Sequence, residues 1–138
     1  MVCACGQHIC GTIWKSGKFT VHRRTVGKRM TAKLKNIAAA LHKRRHDPIR
    51  KTGDWLRQVM RGYNNYHAVP GNLRRLYTLR RETARHWLLS LRRRSQRSRW
   101  TWERFETLIN RYLPVPRILH PYPLDRFYAK YPDKSRVR

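Results

Sequence analysis

The sequence predicts a mainly α protein: a helical bundle with a short N-terminal β-hairpin and an extended, proline-rich C-terminal tail. Apolar residues recur at helical steps in four separate segments. Only residues 8–22 carry the strand-forming types that make a hairpin, and five of the seven prolines fall after Leu113. The boundaries that follow are a β lead-in at 1–24, a helical domain at 25–113 and a tail at 114–138.

In the lead-in, Ile9, Ile13, Trp14, Phe19 and Val21 favour strands, and Lys15-Ser16-Gly17-Lys18 makes a natural connection between them. From Thr25 the period changes. Val26, Met30, Leu34, Ile37 and Leu41 lie on one helical stripe, with Thr25 placed to cap the start. Asp47-Pro48 ends that run, because a residue before proline avoids helical geometry. A second helix is predicted from Thr52 to about Asn65, on the stripe Trp55, Leu56, Val59, Met60 and Tyr63. Pro70-Gly71 then breaks the chain, and Asn72 is a good N-cap for a third helix. That helix places Leu73, Leu76, Leu79 or Arg80, Ala84, Trp87, Leu88 and Leu91 on or near its buried side, and ends in RRRSQRSR. A fourth begins at Thr101 and is expected to bury Trp102, Phe105, Leu108, Ile109 and Tyr112. The tail is expected to drape over the helices through Ile118, Leu119, Tyr122, Phe127 and Tyr128.

Charge is the dominant feature. The 138 residues hold 33 Lys and Arg against 7 Asp and Glu, a net charge of +26. Residues 1–46 contain no acid, and Asp47, Asp54 and Glu82 are the only acids before Glu103. Self-repulsion of this size destabilises a compact state, so a polyanionic partner is implied, with nucleic acid first. Lys28, Arg29, Lys33, Lys35, Arg74, Arg75, Arg92, Arg93 and Arg94 are the candidate phosphate contacts. Membrane insertion is not expected: no stretch approaches the roughly 20 apolar residues of a spanning helix. Three cysteines and no signal-peptide pattern point to a reducing cytoplasm.

Catalytic chemistry has little to work with. Cys3, Cys5, His8 and Cys10 are spaced more tightly than structural zinc ligands and lack a second cluster. Seven histidines share seven carboxylates, and no paired aspartates exist to hold magnesium for phosphoryl transfer. Neither a cofactor nor independent catalysis is expected.

The stretch RGYNNYHAVPGN, residues 61–72, stands out by its asparagines and tyrosines. Asn, Gly and Pro make turns, which is one account of it. The other is recognition: Asn64, Asn65 and His67 offer hydrogen bonds to base edges or 2′-hydroxyls, and a tyrosine offers a stacking surface.

Three segments in order, GQHICGTIWKSGKFTVHRRTVGKRM, WLRQVMRGYNNYHAVPGNLRRL and LRRRSQRSRWTWERF with the later LPVPRILHPYP, together resemble the C-terminal part of bacterial group II intron-encoded proteins. Gly62-Tyr63-x-Asn65-Tyr66-His67-Ala68-Val69-Pro70-x-Asn72 is similar to the signature of their maturase region, also called domain X or the thumb. The resemblance spans about Gly6 to Pro123. It implies a thumb-like helical bundle that contacts group II intron RNA or a template–primer duplex. It also implies that Asn65, Tyr66, His67 and Asn72 either contact RNA or shape the loop. Gly6-Gln7-His8 stands where the family commonly reads Gly-Phe-Thr-His, and no Tyr-Ala-Asp-Asp motif or His-Asn-His endonuclease signature occurs. The expectation is a truncated, non-enzymatic RNA-binding maturase module that assists intron folding and splicing. Two alternatives stay open: the C-terminal half of a split reverse transcriptase, partnered by an N-terminal fragment, and a non-functional remnant.

Overall fold

Where the apolar period changes from two to 3.6, the backbone changes from strand to helix. The computed structural model describes residues 7–13, 19–94 and 100–121. Strands β1 (Gln7–Ile13) and β2 (Phe19–Thr25) pair antiparallel, with Gln7 opposite Thr25 and Ile13 opposite Phe19. Four helices follow: α1 (Gly27–Lys43), α2 (Ile49–His67), α3 (Leu73–Arg92) and α4 (Trp102–Tyr112). Cys3, Cys5, the connection at 15–18, Arg97, Arg99, Tyr122, Phe127 and Tyr128 lie outside the described residues.

The core sits where α3 meets the other three helices. Trp87, fully buried on α3, receives the Phe105 ring edge-on at 5.2 Å and the Tyr112 ring at 5.9 Å. Met30, Ile37 and Leu41 close the core from α1, and Leu56 and Met60 from α2. At Gly53 of α2 the backbone lies against the Tyr112 ring. A Cβ there would sit 2.6 Å from two ring carbons, so only glycine permits this approach of α2 to α4. Arginines close the C-terminal end of α4. Arg57 donates to the Arg111 carbonyl at 2.6 Å and Arg80 to the Leu113 carbonyl at 3.2 Å, where the helix leaves carbonyls unpaired.

Several local expectations change. Thr25 does not cap α1: it is the last residue of β2, is buried, and spends its side chain on Asn72, while Val26 takes the N-cap position. Helix α2 starts at Ile49, directly after Pro48, because proline fits a helix entrance where no N–H is needed. Thr101 does cap α4, accepting from the Arg104 N–H at 3.4 Å. Trp102 is not buried; 46 % of it is exposed. After α4, Leu113 and Pro116 are buried, whereas Ile118 and Leu119 point outward. Leu119 and His120 meet the end of α2 through their backbone N–H groups rather than through those apolar side chains.

Candidate nucleic-acid interface

The residues of the RGYNNYHAVPGN stretch form the end of α2, a tight turn and the entrance to α3. The Asn72 N–H donates to the Val69 carbonyl at 3.1 Å, with Pro70 second in the turn and Gly71 third at φ 85°. This is the pattern of a type II turn: proline presets the second position and glycine accepts the left-handed third. Asn72 holds the N-cap position of α3, yet its side chain caps nothing. It is 0 % exposed. Its Oδ1 accepts from the Thr25 N–H at 3.0 Å, and its Nδ2 donates to the His67 carbonyl and to Thr25 Oγ1, both at 2.8 Å. The Tyr63 hydroxyl shares a further hydrogen bond with Thr25. Of the two roles expected for Asn72, shaping the loop is the one its enclosed amide performs.

From the other side, the Leu119 and His120 N–H groups donate to the Ala68 carbonyl at 3.0 and 3.2 Å. The His120 Nε2 lies 2.6 Å from the Asn65 carbonyl. Thr25, Asn72 and Leu119–His120 come from three stretches far apart in sequence, and the fold brings them together around one turn. A buried polar turn needs partners for its backbone groups: the Asn72 amide serves the His67 carbonyl, the Leu119 and His120 N–H groups serve Ala68, and Thr25 holds the Asn72 amide.

Asn65 and Tyr66 face solvent, Tyr66 at 51 %. His67 is half-buried, its ring 4.1 Å from Tyr63 and 4.8 Å from Tyr66. Burial pushes the His67 pKa below the ordinary histidine value. Asn64 is buried, its Oδ1 enclosed without a hydrogen-bond partner, so it presents no base-edge contact. The loop therefore divides: Asn64 and Asn72 face inward, Asn65 and Tyr66 outward, and His67 sits between.

The expected cations fall in three places. On α1, Lys28 and Lys35 are exposed seven residues apart, opposite the buried stripe, and Arg29 and Lys33 lie on its flank. At the far end of α3, Arg92 donates to the Trp100 carbonyl at 3.0 Å. Arg93 lines a small hollow between α1 and α3 with His42, Arg45 and His86. Arg94 is turned partly inward. Its buried Nε lacks a partner, burial lowers its pKa, and Asp47 opposes that shift.

Arg74 and Arg75 stand at the start of α3, beside an open cleft of about 490 Å³ walled by Arg24, Gly71, Arg74, Arg75 and Thr78. Arg74 and Thr78 also wall a second cleft of about 450 Å³, which continues along α3 to α4 past Tyr77, Arg81 and Trp102. No ion pair among the described residues engages Arg24, Arg74 or Arg75; Arg81 pairs with Glu82 at 3.3 Å. Sequence reasoning missed Arg24, Tyr77, Arg81 and Trp102 as surface groups. Tyr77 could have been found: with Arg74, Thr78 and Arg81 it falls at helical steps of three and four on the outward face of α3.

Among the described residues no helix is long and apolar enough to cross a membrane, and no group of His, Cys, Asp and Glu could hold a metal ion. In comparisons with known proteins, no family description, no curated protein and no solved structure matches the chain.

Proposed function

We propose that this chain is an RNA-binding module of the group II intron maturase type. It would use a thumb-like helical bundle to hold intron RNA during folding and splicing, without polymerase activity of its own. One observation carries the RNA-binding part. Arg24 from β2 and Arg74 and Arg75 from α3 converge on one open cleft that, among the described residues, no carboxylate lines, in a chain of net charge +26. Clustered cations without internal partners are suited to phosphates, and binding to them releases counterions. The group II assignment is supported by the three ordered segments quoted above and by their meeting around one turn.

Gel shifts with a group II intron RNA and an unrelated RNA of equal length test this. Tighter binding of the intron RNA at physiological salt is the expected result. Equal binding would reduce the chain to a general polyanion binder, and no binding would overturn the proposal.

A second reading, the C-terminal half of a split RNA-directed DNA polymerase, is favoured by the sheet. Among the described residues it has two strands only, and neither outer edge meets another strand. A lone strand pair is marginally stable, so an N-terminal reverse-transcriptase fragment that adds strands would complete it. An intact neighbouring frame encoding the palm acids, whose product co-purifies with this chain and restores reverse transcription, is the expected result. Its absence would sink this reading. A non-cooperative thermal melt of the chain alone would favour a remnant.

A further inference from the structure

Two large aromatic side chains are exposed beside the arginines of the cleft between α3 and α4. Tyr77 is 45 % exposed and Trp102 46 %, and both wall the same cavity of about 450 Å³. Single exposed apolar residues are ordinary on any surface and would carry no meaning. These two line one cavity with Arg74, and Arg74 and Thr78 also line the neighbouring basic cleft at Arg24 and Arg75. Trp102 is also held in place: the Phe105 ring meets it at 6.1 Å and 61°. A ring oriented in advance loses little freedom when a flat ligand stacks on it.

Flat π surfaces interleaved with guanidinium groups along a groove match one chemistry, an unpaired nucleic-acid strand. Successive bases stack on the aromatics while the arginines follow the backbone. Bases within a duplex are stacked on each other and offer no free face to a side chain. We propose that the α3–α4 cleft binds unpaired nucleotides, with Trp102 and Tyr77 as stacking surfaces and Arg74 and Arg75 on the phosphates. This rests on the RNA-binding reading above and names the form of RNA that the cleft selects.

The test is fluorescence anisotropy with the full chain and two labelled probes: a ~12-nucleotide oligouridylate and a fully paired RNA of the same length. Trp102→Ala and Tyr77→Ala should each weaken the single strand about tenfold, as expected for loss of one stacked base, and leave the duplex within about twofold. Trp102→Phe should retain most of the affinity. Because stacking is not ionic, the fold-loss from Trp102→Ala should persist as salt is raised, whereas a loss from Arg75→Ala should shrink. Both aromatics are exposed, so folding is expected to survive; an unchanged thermal midpoint in each variant verifies it. If the wild type binds RNA but neither aromatic variant weakens the single strand, this inference fails and the RNA-binding reading stands. If the wild type binds neither probe, both fail. Equal loss on the two probes would also overturn the cleft as a single-strand site.

Discussion

The turn at 67–72 and the cleft along α3 start from the same helix entrance and treat polar groups in opposite ways. Around the turn, every bond of the Asn72 side chain runs to another part of the chain: to Thr25 before α1 and to His67 at the end of α2. Two and three residues further on, Arg74 and Arg75 point into open space with no ionic partner among the described residues. The polar groups of the first region hold the fold; those of the second enter no ion pair among the described residues. A residue type that looks suited to recognition can therefore be spent entirely on architecture.

The sharpest way to break this comparison is Asn72→Ala. It leaves the Thr25 N–H buried without a partner, at ~1–3 kcal/mol, and takes one hydrogen bond each from Thr25 Oγ1 and from the His67 carbonyl, which keeps the Val69 N–H at 2.8 Å. A stability loss of about 3 kcal/mol in urea unfolding is expected, with RNA affinity of the folded fraction unchanged. An Asn72→Ala protein of full stability but weak RNA binding would move Asn72 to the open region.

Gly71→Ala probes the same turn with a smaller effect. At φ 85° a Cβ crowds the backbone, so a loss of about 1–2 kcal/mol is expected from the same unfolding measurement. A variant as stable as the wild type would mean that the turn adopts another conformation in solution.

Arg75→Ala should do the reverse of both. Stability should stay within about 0.5 kcal/mol, as for an exposed side chain outside any network. The slope of log affinity against log salt should fall by roughly 1, for every RNA alike. An unchanged slope would remove Arg75 from the phosphate contacts.

The division between these regions also explains what could be read in advance. The four helices follow from apolar stripes such as Met30, Ile37 and Leu41, because burial of one face imposes a period that composition records. Pro70-Gly71 likewise announces a turn through backbone chemistry alone. The roles of Thr25 and Asn72 were hidden, since 47 residues separate them and local pattern makes each look like a helix cap. Trp102 was hidden for a different reason. Its place at the start of α4 continues the stripe of Phe105 and Ile109, yet it faces an open cleft beside α3 and stays 46 % exposed.

His67 lies on the border between the regions, and its titration gives the smallest and most discriminating effect. Its ring packs against Tyr63 and Tyr66, and burial depresses its folded pKa below the ordinary value of about 6.5 that the unfolded chain regains. Between those two values the unfolded state binds more protons than the folded state, so unfolding free energy rises with pH across that window. Its contribution is fully present above about pH 6.5 and is lost as pH falls through the depressed folded value. Urea unfolding of the wild type and His67→Gln on either side of the window should therefore give a larger acid loss for the wild type. The other six histidines are common to both proteins and cancel in the difference. Bound RNA then decides the side of the border. A phosphate near His67 would favour the imidazolium and raise its pKa, whereas a histidine that only supports the turn would keep its depressed value. An NMR titration of the His67 ring with and without saturating RNA is expected to give the same depressed midpoint in both. An upward shift on adding RNA would extend the interface from the cleft into the turn.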